Sequence, residues 1–488
     1  MTKNLATTPL VLLQELSSEH LGPDHHEKDK QFKVALESLS KLPIFADVET
    51  WELDGNPWSR PIRPNSFRYF KFGPVTADNY LDYGAFTTNR ILTALNETDF
   101  LFLPHREVEP RSAFDQFYSE ELRANASVVA PRLADWALGF VDQHVKVDGT
   151  WSKAQFETYF ADRIMPLKTQ MPGSLALVEQ SNYPVQAVQL LLMQHAVDFL
   201  TEASLMARYS MGDYGNLQSQ LFKVLLDEYG YGVHETKHST LFKRTLESVG
   251  LLSQSHSYWQ FYLNTTLLLN NHFHRLTSRP RNFFRYLGAI TLAENTFAPY
   301  CDAVARTLRK VHGDQVDVNY YKEHAHIDVH HGRMTYADLA LEAIDRHGEA
   351  IIPELVLGME QTLYVQDLAE RDLAAQLTWM SKKDDYHKLG MEIRDAVLAD
   401  QANLPVSRLI EPRGYLSVTH VHNGDELCVV DSGVLRFCSG PNSFVDLEAG
   451  QAVVIKHHRL HGAVPLSEEC HYNIYSIGDY RRYADRDV

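Results

Sequence analysis

The chain has 488 residues, 44% of them hydrophobic, enough for large cores and, by length, for about three domains. Its formal net charge of -17 opposes binding to nucleic acid or to an anionic membrane surface, and no run nears the ~20 apolar residues of a spanning helix. Cys301, Cys428, Cys438 and Cys470 form neither a CxxC pair nor a dense framework, which suits a reducing cytoplasm and argues against a cysteine-built zinc site.

Residues 1–30 are polar, and the apolar run Leu10 to Leu16 lacks the basic leader of a signal peptide. Residues 31–135 alternate amphipathic stretches such as FKVALESLSKL with Pro/Trp/Gly loops such as DGNPWSRPIRPNSF. Helices with long connections are expected there, and no catalytic grouping is visible. From 136 to about 400 the apolar residues recur at the helical period, with no strand alternation and no glycine-rich phosphate loop, so an all-α bundle is expected.

Within the bundle, PVQAVQLLLMQHAVDFLTEASLMARYS reads as one helix after Pro184. It carries Glu202 in an apolar setting, where a carboxylate is costly unless paired or metal-bound; a salt-bridged core glutamate is the plain alternative. The next helix, NLQSQLFKVLLDEYGYGVHETKHSTLFKRTLESVG, is disturbed at Gly230 and Gly232. Glu228 and His238 lie ten residues apart, about -80° on a regular helix, so the glycines must distort the backbone, as a π-bulge would, for both to reach one site. Glu235 competes with Glu228, because it shares that face and forms an ExxH pair with His238; spacing does not choose between them. His234 suits a supporting or surface position. In YYKEHAHIDVHHGR, His324, Asp328 and His331 fall at i, i+4 and i+7 and share one helix face within about 60°. Inward-facing imidazole and carboxylate groups of this kind can make half of a metal site in a bundle. A solvated, histidine-rich helix is the alternative.

After Leu404 short β-rich runs broken by Gly, Asn and Pro suggest a small antiparallel barrel or jelly roll. His420 and His422 alternate, so both would face its interior. With His461 they would form a three-histidine site with room for oxygen and substrate.

The set Glu202, Glu228, His238, His324, Asp328 and His331 resembles the haem-oxygenase-like di-iron oxidases. In that family three carboxylates and three histidines from core helices hold two irons, and its pattern selects Glu228 over Glu235. Gly414-x5-His420-x-His422-x3-Glu426-x6-Gly433 fits the first cupin motif. The second is partly kept, with Gly450 and His461 in place but Lys456, His458 and Pro465 replacing the usual Pro, Gly and Asn. Glu426, a fourth ligand in many cupins, is expected beside the ligands, and His457 and His458 at the rim.

Both resemblances together match, over nearly the whole chain, the N-nitrosourea-forming metalloenzymes of streptozotocin-type biosynthesis. The likeness implies a multidomain α plus β chain: a helical region, 1–135, for a homodimer contact; a haem-oxygenase-like di-iron domain, 136–395; and a β-barrel cupin, 396–488. It implies a cytoplasmic oxidoreductase using Fe(2+), two ions in the helical domain and one in the cupin, with O2 and an external electron donor. N-omega-methyl-L-arginine would be hydroxylated on two guanidine nitrogens at the di-iron site, and the product rearranged to an N-nitrosourea at the cupin iron. A guanidinium titrates near ~12.5–13.8 in water, so the site must hold a cation near carboxylates and ease proton loss. Glu294 and Asp302 are candidates for gripping it, with ordinary surface charge the favoured reading of both; Arg413 and Tyr415 are candidates for a substrate carboxylate or polar group, or for a structural role. The other readings keep the folds but make the chain an N-oxygenase of another amine or amino acid with a regulatory cupin, or a non-enzymatic iron-binding protein.

Overall fold

Helical patterning dominates the computed structural model, which describes residues 23–42, 45, 58, 59, 67, 70, 73–103, 111–212, 215–484, 487 and 488. The loop DGNPWSRPIRPNSF and the polar start of the chain lie largely outside those residues. The main helices are α1 (Pro23–Ser40), α2 (Tyr83–Asn96), α3 (Glu120–His144), α4 (Pro184–Phe199), α5 (Asn216–Glu228), α6 (His238–Ser248), α7 (Phe283–His312), α8 (Asn319–Met334), α9 (Ile352–Ser381) and α10 (Lys383–Ala399). No helix among the described residues is long and apolar enough to cross a membrane.

Contacts divide the chain into two compact units. One holds Leu138–Ser255 and Thr265–Ala374. Its core gathers Phe156, Leu221, Val224, Leu287, Leu292, Leu339, Leu355 and Met359, all shielded from water; apolar residues at helical spacing on each element make that common interior. Helices α7 and α8 approach closely at Gly332. A Cβ there would stand 3.0 Å from the Glu294 carbonyl and the Asn295 side chain, and Asn295 Nδ2 donates to the Gly332 carbonyl at 2.9 Å.

Two helices are shorter than their patterns suggest. The expected helix from Pro184 through Ser210 stops at Phe199, and Ala203 has a left-handed φ of 61°. Glu202 therefore sits on a turn, not inside an apolar helix. The next pattern is cut between Glu228 and His238 by two 3-10 turns, Gly230–Gly232 and His234–Thr236, rather than bulged. Gly230 and Gly232 adopt φ of 57° and 82°, where a side chain is strained. At Gly230 a Cβ would also fall 2.6 Å from the Lys237 nitrogen.

The other unit holds residues 1–137, His256–Asn264 and Ala375–Val488. Contacts thus group the first region with the β segment, whereas composition had suggested separate spans. Among the described residues seven strands, β1 (Val406–Pro412), β2 (Asp425–Ser432), β3 (Val434–Gly440), β4 (Ser443–Glu448), β5 (Ala452–Ile455), β6 (Gly462–Pro465) and β7 (Glu469–Gly478), form two antiparallel sheets. Their orders are β1-β7-β2-β5 and β4-β3-β6, an open cupin-like arrangement rather than a closed barrel. The segment YLSVTHVH is not a regular strand; an isolated bridge pairs His420 with His461. Arg90 on α2 donates to the Thr419 carbonyl at 2.6 Å, and Gln260 Oε1 accepts from the Thr419 nitrogen at 3.0 Å. A buried guanidinium and amide thus satisfy backbone that no strand neighbour covers.

Candidate metal centres

Five of the six expected helical ligands are buried, and Glu202 is half-buried. The turn after α4 brings Glu202 Oε1 to 3.0 Å from His324 Nε2. The break after α5 lets Glu228, its last residue, and His238, the first of α6, face each other, with Oε2 2.6 Å from Nδ1. His238 Nδ1 and His324 Nε2 are 3.0 Å apart. Glu228 also reaches the other way, its Oε1 3.5 Å from His331 Nδ1, and Asp328 Oδ1 is 3.3 Å from the same nitrogen. The residues therefore make two ligand groups sharing Glu228: Glu202, Glu228, His238 and His324, and Glu228, Asp328 and His331. Glu235 and His234 are exposed on the intervening turn, so geometry favours Glu228 over its rival.

Hydrogen bonds leave the ligand nitrogens free. His324 Nδ1 donates to the Tyr320 carbonyl at 2.9 Å, which leaves the lone pair on Nε2. His331 Nε2 donates to Asp227 Oδ2 at 3.0 Å, which leaves it on Nδ1. Tyr320 donates to Glu202 Oε1 at 2.6 Å. Glu202 Oε2, both Asp328 oxygens and His331 Nδ1 are buried with no hydrogen-bond partner, and Glu228 Oε2 faces the His238 and His324 imidazoles. Orphans of this kind cost too much to keep unless something binds them. A pair of cations with mixed N/O ligands fits the set.

Two carboxylates were weighed from the sequence between a cation grip and surface charge. Glu294 is no surface charge: its Oε2 lies 3.4 Å from His331 Nδ1, so it joins the second group as a ligand candidate rather than a cation grip. Asp302 is exposed on α7 and paired with Arg306, away from the ligand groups, so the alternative of ordinary surface charge describes it. Asp227 was not singled out; its only signal was the Asp-Glu pair in LLDEYG.

The charges reinforce one another. Burial opposes charge on His324, yet Glu202 and Glu228 outweigh it and hold the imidazole well above its usual range. Burial likewise opposes charge on His331, but Asp328 and Glu294 raise it to about 11. Burial pushes the Glu294 carboxyl up to about 7. Without a cation the group holds protons in its place.

The β unit holds the other three predicted ligands, and the nitrogens of His420, His422 and His461 converge. His420 N donates to the His461 carbonyl at 2.9 Å and His461 N to the His420 carbonyl at 3.1 Å. His458 N donates to the His422 carbonyl at 2.8 Å. Backbone pairing thus does here what a strand was expected to do. His420 Nδ1 donates to the Val418 carbonyl at 2.7 Å and His461 Nδ1 to the Arg459 carbonyl at 2.8 Å, so both present Nε2. His420 Nε2 and His422 Nε2 are 3.1 Å apart. Burial, with the neighbouring imidazole, lowers the His420 pKa to about 3, and burial holds His461 well below the usual imidazole range. Glu426 Oε2, itself an orphan, lies 3.0 Å from His422 Nε2, and Ser476 donates to its other oxygen. His457 Nδ1 sits 2.6 Å from Asp425, and His458 Nε2 3.2 Å from Asp82, both off the convergence point. Arg413 is exposed, 3.7 Å from an exposed Glu468, and Tyr415 is half-buried in a turn whose nitrogen donates to Pro412.

Residues 189–367 match the family model of iron-containing redox enzymes of the haem-oxygenase type, the span that holds every helical ligand candidate. The chain is 41% identical over 459 residues to the nitrosourea synthase of Streptomyces achromogenes subsp. streptozoticus, covering 93% of this chain and 96% of that protein. An iron-type ligand set in a matching helical domain, carried on a chain that aligns end to end with that enzyme, places this protein in the nitrosourea synthase family.

Proposed function

We propose that the chain is an iron- and O2-dependent N-oxygenase that makes an N-nitrosourea from N-omega-methyl-L-arginine. The reading takes the organisation expected from the motifs: a helical region (1–135) serving a homodimer, a di-iron domain (136–395) and a cupin (396–488). Glu202, Glu228, His238 and His324 would hold one iron, and Glu228, Asp328, His331 and Glu294 a second. His420, His422 and His461 would hold a third, with Glu426 beside His422. When bound, the irons would supply electrons and open positions for activating O2 toward nitrogen. An external electron donor would restore them. The four buried, unbridged cysteines suit a reducing cytoplasm.

The carrying observation is the orphaned carboxylate and imidazole atoms of the carboxylate-bridged helical group, beside a separate convergence of three imidazoles. Counting Asp227, the helical site has five carboxylates against two divalent ions. One negative charge is left over, which favours a guanidinium over a neutral ligand. Asp227 fixes the His331 tautomer, and Tyr320 holds Glu202 in place; such supports keep ligands aimed while substrate binds. N-δ and then the unmethylated terminal nitrogen would be hydroxylated at this site. The three-histidine site would rearrange the dihydroxylated product.

Anaerobic iron titration followed by mass spectrometry of products from arginine and N-methylarginine tests this. Three irons per chain and stepwise hydroxylated N-methylarginine are expected. One iron per chain, or no N-hydroxylated product from either compound, refutes it.

A further inference from the structure

Beyond the ligands, a chain of aromatic groups runs outward through the helical unit. The ring of Tyr320, whose hydroxyl donates to Glu202, meets Tyr321 edge-on with centroids 5.1 Å apart. Tyr321 Oη lies 2.7 Å from His195 Nδ1, and Nε2 of the same imidazole lies 2.7 Å from Tyr300 Oη. Tyr320 and Tyr321 are fully buried, while His195 and Tyr300 are half-buried. Burial keeps His195 neutral, its pKa down at about 3. A neutral imidazole has one lone pair and one N–H, so it accepts from one phenol and donates to the other. Here two oxidisable side chains share one imidazole, and the inner of them abuts the tyrosine that touches a ligand.

We propose that Tyr321, His195 and Tyr300 form a proton-coupled relay that carries an oxidising equivalent away from the helical centre when no substrate is there to consume it. This rests on the reading of that centre as an iron site that reacts with O2. In the first step Tyr321 gives one electron, by way of Tyr320, to the oxidised centre. Its phenolic proton moves to His195 Nδ1, the Nε2 proton moves to the Tyr300 oxygen, and Tyr300 releases its own proton to solvent. In the second step Tyr300 gives one electron to the Tyr321 radical. Tyr321 regains its proton from Nδ1, and Nε2 takes the phenolic proton of Tyr300. The imidazole changes tautomer and returns, neutral throughout. The net change is one electron inward, one proton outward and a neutral radical on Tyr300. A small one-electron reductant such as ascorbate, with a proton from water, then restores Tyr300.

Freeze-quench EPR of the full-length, iron(II)-loaded protein mixed with O2 in the absence of substrate tests the relay. A tyrosyl radical is expected, with splitting that collapses in protein grown on ring-deuterated tyrosine. Tyr300→Phe removes both the acceptor of the Nε2 proton and the outer donor, so the radical yield should fall and what remains on Tyr321 should show altered splitting and slowed quenching by ascorbate. Tyr321→Phe should lose the signal, and Cys301→Ala, beside Tyr300, should retain it. A wild-type signal unchanged in both phenylalanine variants overturns the relay. So does iron bound and O2 consumed with no radical. Failure to bind iron or to consume O2, measured on the same samples, overturns both the relay and the reading beneath it.

Discussion

The helical centre and the three-histidine centre hold their groups ready in opposite ways. In the helical unit, carboxylates surround the imidazoles and drive them to take up protons, His331 to about 11. In the β unit the imidazoles lie close to one another, and burial keeps His420 and His461 unprotonated, His420 down to about 3. A divalent ion must displace protons at the first and finds bare nitrogens at the second. The first set combines one face of α8 with helix ends and a turn far apart in sequence. The second is pinned by reciprocal backbone bonds between His420 and His461. The lesson is that ligand type alone does not set a site's response to acid; the company each imidazole keeps does.

That contrast can be broken most sharply by removing one centre. His420→Ala should drive the nitroso product to background while hydroxylated intermediates accumulate, read by mass spectrometry; an unchanged nitroso yield would remove the β centre from the reaction. Next in size is a test of what holds that centre. Asp425 is buried, its carboxylate 2.9 Å from Lys456 Nζ and accepting from the His457 and Tyr480 backbone nitrogens. Asp425→Asn leaves Lys456 without its partner and should cost about 3 kcal/mol in denaturant unfolding. At the helical centre, Asp227→Asn should weaken iron binding about 10- to 100-fold by freeing the His331 ring, with little change at the three-histidine centre. Iron titrations of each centre alone would show it.

Acid supplies a gentler probe. His324 and His331 have raised pKa values, so both carry a proton in the metal-free protein at neutral pH. Iron binding releases those protons, and affinity must fall as pH drops, by about tenfold per pH unit for each proton released. His420 and His461 have lowered values and release none. Lowering the pH from 8 to 6 should therefore empty the helical centre first; equal loss from both centres would contradict the electrostatic difference. The smallest effect is expected at Asp302, exposed and paired only with Arg306 along its own helix. Asp302→Ala should change stability by less than about 0.5 kcal/mol and leave product formation intact.

Ligand identity was largely legible beforehand because it rests on short-range periodicity. His324, Asp328 and His331 share a face on any regular helix, and the structure keeps α8 regular through all three. Choosing Glu228 over Glu235 was different. Both fit a continuous helix, and only the break at Gly230 turns one inward and leaves the other exposed. Glu294 was noticed but given another task, because its approach to His331 depends on how closely α7 crosses α8 at Gly332. Crossing geometry is tertiary and leaves no local pattern. The β-domain strands were visible from composition, but the stretch before His420 departs from one. Its extended shape is imposed by Arg90 and Gln260, more than a hundred residues away in sequence.

The interruption between α5 and α6 has one more consequence. Residues 229–237 connect Glu228 to His238, and Tyr231 and Val233 along them are exposed. An ion gripped at both ends closes this segment into a ring, much as a covalent crosslink would, and withdraws freedom from the unfolded chain. Chelation would unfasten that clasp, and a protease should then nick the peptide near Tyr231 sooner than anywhere in the neighbouring helices.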